Sequence, residues 1–356
     1  LSPPGFIGSG LFSTRAKLRL LREPFVPAAA PSTEESVADF VRRRLGDEFL
    51  DYAINPFVAG VYAGDPARLS VRAAFPRLYE LEQKYGSLIR GAIAGARERR
   101  RNPEKSKQSA RMFSFADGMQ TLTDAIAGHL SEVLLDAKVI SVMKHGPGFR
   151  VVAETGGGQQ EFTARAVVIA TPAYAAAPLV APLAEAAAAA LAAIEYPPVA
   201  AVISSYRRDD VRHALDGFGA LLPQREGRKT LGTIFSSSLF PNRAPPGTVL
   251  LTTFVGGMRD PQLARADEAV IGAVVQAENA ELLGAPPRAQ FLRVTQWPRA
   301  IPQYALGHGA RMEAIEGAER AHPGIYFCAN YRGGISVGDC VKSGTQTGER
   351  AAAFLA

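Results

Sequence analysis

The chain of 356 residues carries 40 Lys and Arg against 34 Asp and Glu, a net charge of +6, and is 47% apolar. Its length and apolar share give enough core for two domains. A charge this mild excludes a dedicated nucleic-acid binder, while suiting an anionic small molecule or an anionic membrane surface. The opening stretch "LSPPGFIGSGLFSTRAKLRLLREPF" has neither an initiating Met nor the continuous apolar run of a signal peptide. Its Gly5, Gly8 and Gly10 stand in the reverse order of the dinucleotide fingerprint and follow Pro3 and Pro4, so a flexible turn is expected there. Beyond the turn, basic residues alternate with Leu and Phe. That pattern fits an interfacial membrane helix and fits equally a packed helix with an Arg-rich outer face.

Val37, Phe40, Val41, Leu45 and Phe49 fall at helical spacing, with a cap expected from Ser32 or Thr33 together with Glu35 or Ser36. Helices are predicted through "RLYELEQKYGSLIRGAIAGARER" and "MQTLTDAIAGHL". Between them "ARERRRNPEKSKQSAR", with Pro103 and no aromatic residue, reads as a solvated loop. Period-two segments follow: "KVISVMK", "FRVVAE", the turn "TGGG" and "EFTARAVVIAT", a hairpin whose last strand is apolar enough to be buried on both faces. An Ala-rich helix from about Pro182 to Ile194 stops at Pro197 and Pro198. It falls short of the ~20 continuous apolar residues that a bilayer requires.

Strands are predicted at "VAAVISSYR", "TLGTIFSSS" and "TVLLTTFVGG", whose β-branched alternation points to an antiparallel sheet with one face lining something. A helix "DEAVIGAVVQAENAELLG" and a strand "AQFLRVTQW" come next. The chain ends in "GIYFCANYRGGISVGDCVKSGTQTGERAAAFLA", a buried strand, Gly333 and Gly334, and a helix whose first amides can receive a phosphate. Cys328 and Cys340 are too few for a disulfide scaffold, so a reducing, cytoplasmic setting is the default. None of the five histidines stands at metal-ligand spacing with another, so no metal is expected. No G-x-S-x-G elbow and no P-loop occurs.

Four stretches together resemble one family: "ESVADFVRRRLGDEFLDYAINPFVAGVYAGDPARLSVRAAFPRL", "FSFADGMQTLTDAI", "GFGALLP" with "LGTIFSSSLFPNRAP", and "WPRAIPQYALGH" with "ANYRGGISVGDCVKSG". They are similar to the protoporphyrinogen oxidases of the FAD-dependent, amine-oxidase-like superfamily, with "NYRGGISVGDCV" nearer the plastid form. The resemblance implies an α/β (α+β) chain with a glutathione-reductase-like FAD domain, a mixed-sheet substrate domain and a helical membrane-associating domain. It also implies oxidation of protoporphyrinogen IX through FAD with oxygen as acceptor. Coproporphyrinogen III or another amine-oxidase-type substrate stays open, as does a flavin-free porphyrin-binding remnant. The N-terminal βαβ unit with G-x-G-x-x-G, its ribose-binding acid and an upstream arginine are absent from the sequence, so an N-terminally truncated chain with weak or no FAD binding is expected.

The expected organisation is a mainly helical substrate or membrane-associating region at 1–110, an FAD-domain segment at 111–195, a substrate sheet at 196–305 and a closing FAD-domain segment at 306–356. By resemblance, Val139, Trp297, Ile335, Ser336 and Val337 contact FAD, and Phe218, Gly219, Leu221, Ile234 and Phe254 line the tetrapyrrole site. Gly60 carries the catalytic expectation, through a carbonyl that faces the pyrrole N–H groups. A homodimer, a peripheral contact with the inner face of the cytoplasmic membrane, and an organellar address in a eukaryote complete the expectations. From the residues alone, Val139, Phe218, Leu221, Ile234 and Phe254 would each pass as core.

Overall fold

The structure, a computed structural model, describes residues 8–101 and 113–356. Most of "GFIGSGLF" and of the basic run after Arg101 lies outside the described residues. In chain order the elements are α1 (Thr14–Leu21), α2 (Val37–Arg44), a five-residue π-turn (Leu50–Ile54), α3 (Asn55–Tyr62), α4 (Pro76–Tyr85), α5 (Leu88–Arg101) and α6 (Gln120–Ala127). Then come β1 (Lys138–His145), β2 (Gly148–Thr155), β3 (Gly158–Ala164), β4 (Val167–Ile169), α7 (Ala173–Val180) and α8 (Glu185–Ala192). The rest are β5 (Val199–Arg207), β6 (Gly219–Leu221), β7 (Thr230–Ile234), β8 (Thr248–Gly256), α9 (Glu268–Leu283), β9 (Phe291–Trp297), α10 (His308–Ala321), β10 (Ile325–Phe327) and α11 (Val337–Leu355). They form two compact units, Leu1–Ala116 with Tyr196–Ile301, and Asp117–Glu195 with Pro302–Ala356.

The first unit is built on a five-stranded sheet in the order β6-β7-β8-β5-β9. Among the described residues every pairing in it is antiparallel, where the resemblance implied a mixed sheet. Antiparallel neighbours need no crossover helix. One face packs on α9: Ala200, Val202 and Val255 meet Ile271 and Val275, with Val294 against them. Ser36, rather than Ser32 or Thr33, caps α2, accepting the Asp39 N–H at 3.0 Å. The strand expected through "TLGTIFSSS" stops at Ile234, and its serines turn into a short helix, Ser236–Leu239.

Behind α2 lies a buried ionic cluster. Arg44 and Glu23 are both fully buried and 3.0 Å apart, and Arg44 lies 2.5 Å from Glu82, itself fully buried. Arg43 bridges Glu82 and Glu35, at 2.8 and 2.5 Å. The Glu23 carboxylate also receives the Leu88 and Ile89 amides and the Ser87 hydroxyl at the start of α5, where the helix dipole favours an anion.

The second unit holds a three-stranded antiparallel sheet, β1-β2-β3, and a parallel pair, β10-β4. The single strand expected over "EFTARAVVIAT" is therefore two. β3 closes the antiparallel hairpin on β2, and after Arg165 the chain turns to run as β4 beside β10. Helix α8 packs against both α7 and α10, and Ala176, Leu191 and Ile315 of the three helices are buried. Among the described residues no helix is long and apolar enough to cross a membrane, and no group of His, Cys, Asp and Glu could hold a metal.

Candidate functional site

Each unit presents one candidate surface, and the expected residues divide between them. In the first unit, strand register defines the surface. Leu292 meets Gly272 of α9 and Val294 joins the α9 core, so Phe291, Arg293, Thr295 and Trp297 stand on the opposite face of the sheet. Register carries that face across all five strands. Leu221 lies opposite Gly232, Gly232 opposite Phe254, Phe254 opposite Ala201 and Ala201 opposite Thr295. The adjacent row runs Gly219, Ile234, Thr252, Ile203, Arg293. Val199 brings Trp297 alongside. Gly219, Leu221, Ile234, Phe254 and Trp297 thus share one face. Phe218 sits outside β6 and 53% exposed, its carbonyl accepting the Phe235 N–H, and no ladder position places it on that face.

Helix α3 covers one end of this surface. An added Cβ on Gly60 would come within 2.4 Å of Leu221 Cδ2, so the Leu221 side chain takes its present place beside the helix because residue 60 has no side chain. Ala63, left-handed at φ 49°, ends the helix, and the N–H groups of both Ala63 and Gly64 turn back to the Val58 carbonyl. Neither of these N–H groups therefore serves the Gly60 carbonyl at the end of the helix.

Sequence reasoning missed what holds α3 in place. Asn55 Oδ1 accepts the Gln224 N–H at 3.0 Å and its Nδ2 donates to Gln224 Oε1 at 3.3 Å, tying the start of α3 to the loop after β6. Arg259 adds a 3.3 Å bond to Asn55 Oδ1. Burial pushes the Arg259 guanidinium below its ordinary range, a shift that the Glu278 charge opposes. The only signal was Asn55-Pro56 directly after a helical run, which reads as an ordinary turn. Neither row of the face contains a carboxylate or a histidine; its one ionisable side chain is Arg293. Such a surface can hold and orient a flat apolar molecule, and it offers no side-chain base.

In the second unit the candidate surface is the turn between β10 and α11. Buried Tyr331 and the Tyr304 hydroxyl fix it, the latter accepting the Gly334 N–H at 2.9 Å and donating to Asn330 O at 2.8 Å. Arg332 anchors it to Glu319 at 2.8 Å and Glu316 at 3.1 Å. Burial would raise the Glu319 carboxyl, but bonds from Arg332, Arg350 and the Phe327 N–H outweigh burial and hold it below the usual range.

Whether this turn suits FAD can be judged from its donors. Ser336 caps α11, spending the Asp339 N–H on its hydroxyl and the Cys340 N–H on its carbonyl. The amides of Val337 and Gly338 remain uncommitted at the head of a 19-residue helix. A cavity of about 690 Å³ runs along the flank of the helix, lined by Arg332, Gly333, Lys342 and Ser343 together with the carboxylates of Asp339 and Glu349. Two free amides at a helix N-terminus fit a phosphate. Ile335 is half-buried, while Ser336 and Val337 are exposed. Val139 lies on the edge strand β1, beside a register shift between Val139 and Ser141, with its outer backbone edge unpaired by any described strand.

Gly334, at φ 126°, stands where an added Cβ would lie 2.4 Å from Asp339 Oδ2. Gly334→Ala is expected to cost about 1–3 kcal/mol and to displace Asp339 from the Ser336 cap. A lowered Tm together with weaker retention of added FAD would establish both effects.

A match to the flavin containing amine oxidoreductase family covers residues 2–352. The chain is 39% identical to the chloroplastic protoporphyrinogen oxidase of Oryza sativa subsp. japonica, over 97% of this chain and 68% of that one. To the chloroplastic protoporphyrinogen oxidase 1 of Arabidopsis thaliana it is 38% identical, over 89% of this chain and 63% of that one. The chain thus spans about two thirds of the length of these relatives. A crystal structure from Exiguobacterium sp. 255-15, provisionally assigned as a protoporphyrinogen oxidase, matches the fold with a TM-score of 0.78 at 21% identity, over 98% of this chain and 74% of that one. The chain belongs to the flavin containing amine oxidoreductases, whose cofactor is FAD, and within them it groups with the protoporphyrinogen oxidases.

Proposed function

We propose that this chain carries the substrate surface and part of the FAD site of an enzyme that oxidises protoporphyrinogen IX to protoporphyrin IX, with oxygen as the final acceptor. The observation that carries this reading is the open, largely apolar sheet face bearing Leu221, Ile234 and Phe254 and no acid or base, in a chain whose relatives bear that enzyme's name. FAD, when bound, accepts the hydride and passes the electrons to oxygen. The chain supplies position. Leu221, Ile234 and Phe254 form a flat wall against which a macrocycle can lie and from which water is excluded. The Gly60 carbonyl accepts a pyrrole N–H and stabilises the positive charge that develops on the ring as hydride departs. In the second unit Val139, Ile335, Ser336 and Val337 would hold FAD, the free α11 amides receiving a phosphate.

The test is to supply the chain with FAD and protoporphyrinogen IX and to follow the flavin spectrum, oxygen uptake and porphyrin fluorescence, with coproporphyrinogen III in parallel. With FAD supplied in excess of a weak site, oxygen-dependent fluorescence from protoporphyrinogen IX is expected. Turnover confined to coproporphyrinogen III would replace the substrate, and flavin binding with no turnover of either would remove the activity. A peripheral membrane contact belongs to the same proposal. Leu18, Leu21 and Phe25 are 58%, 69% and 80% exposed, and Arg15, Arg19 and Arg22 lie among them. That composition favours an anionic interface.

A further inference from the structure

We infer that Arg293 determines specificity by binding a carboxylate arm of the substrate, an assignment that rests on the porphyrinogen reading above. Arg293 occupies the β9 position of the row that also holds Ile234, Thr252 and Ile203, on the face away from α9. Strands about 4.8 Å apart and residues about 6.8 Å apart along one face put its Cα roughly 12 Å from that of Phe254. The long side chain extends from there, so its guanidinium can meet the rim of a macrocycle lying on Leu221 and Phe254. It is exposed and makes no hydrogen bond or ion pair with any described residue.

Three other arginines of this unit are committed. Arg243 holds Ser114 and Phe115, Arg259 holds Thr230 and Asn55, and Arg225 holds Asp51. With no second ionisable group in its row or the next, Arg293 is a lone cation beside an apolar surface. A tetrapyrrole with propionate arms presents the complementary pattern, an apolar plane with an anionic rim, and a guanidinium fork matches a carboxylate in two parallel bonds. β9 is also an edge strand, where a charge discourages pairing with another chain. That role needs a charge only and is indifferent to what the ligand carries.

Trp297, the chain's single tryptophan, stands on the same face and reports occupancy. The chain supplied with FAD would be titrated with protoporphyrin IX and with its dimethyl ester, reading Trp297 emission, for the native protein, Arg293→Met and Arg293→Lys. The native protein should bind the diacid roughly tenfold more tightly than the ester. Arg293→Met should lose about that factor for the diacid alone, Arg293→Lys should recover part of it, and high salt should narrow the preference. Equal weakening of both ligands, or of neither, overturns the role of Arg293 while leaving the porphyrin reading intact. Failure of the native protein to bind either porphyrin overturns the proposed function and this assignment with it. Unchanged Tm in both variants excludes misfolding as the cause.

Discussion

Gly60→Ala is expected to lower kcat on protoporphyrinogen IX by roughly 100-fold while moving Tm by less than about 2 °C. The new methyl would overlap Leu221 Cδ2, 2.4 Å away. Leu221 is 46% exposed, so its tip can swing aside without disturbing the core. Within a helix the change from Gly to Ala also contributes about 0.8–1 kcal/mol of favourable propensity, which offsets the strain of the shifted leucine. What cannot be offset is the shape of the face. A displaced Leu221 moves into the space where the macrocycle would lie, and the methyl itself stands beside the carbonyl that is to receive a pyrrole N–H. Gly60→Ala/Leu221→Ala removes the overlap and should return part of the lost turnover. Kinetics and thermal melts of the three proteins check this. Parallel loss of Tm and kcat would make Gly60 a packing residue, and undiminished turnover would take this end of the face out of the site.

The face was legible because it rests on alternation. "VAAVISSYR" became β5 end to end, and once β5, β8, β7 and β6 are paired in register, Ala201, Phe254 and Leu221 must lie on one side. Periodicity is local, however, and cannot identify a strand's partner. "EFTARAVVIAT" has the composition of one long strand, yet β3 pairs with the hairpin strand next to it and β4 with β10, far along the chain. Capping was equally ambiguous: Ser32, Thr33 and Ser36 all precede the helix, and it is Ser36, directly before Val37, whose hydroxyl accepts the Asp39 N–H at 3.0 Å. Arg293 was unreadable because an arginine in an alternating strand looks solvated until the register shows what shares its side. The cluster around Arg44 was hidden for the opposite reason. "RRR" at the end of an amphipathic helix reads as a solvated face, and the carboxylates that bury Arg44 come from Glu23 and Glu82, in other segments.

Glu82→Gln should destabilise the protein at pH 7 by roughly 3 kcal/mol, because it leaves Arg44 buried with half of its charge compensation gone. Burial by itself would raise the Glu82 carboxyl, but hydrogen bonds from Arg43 and Arg44 outweigh it and hold the group below its ordinary 4.5. With the folded pKa below the unfolded one, the folded state binds fewer protons. The contribution is therefore complete above about pH 4.5 and is lost as pH falls through the depressed folded value. The gap between the native protein and Glu82→Gln in denaturant midpoint should accordingly be wide at pH 7 and narrow progressively below pH 4.5. A gap independent of pH would mean that Glu82 acts through packing rather than charge. Arg44→Met should be similarly costly, since it takes from buried Glu82 and Glu23 the cation they share. Arg44→Met/Glu82→Met removes both members of one pair, while Glu23 keeps the Leu88 and Ile89 amides and Arg43 keeps Glu35. The double variant is expected to be more stable than the sum of the singles by about 1.5 kcal/mol or more, because the large single costs come from isolating a buried charge rather than from losing a favourable bond. Strict additivity would instead place the cost in the shape of the side chains, and the helix bearing "RRR" would then be held to its neighbours by packing alone.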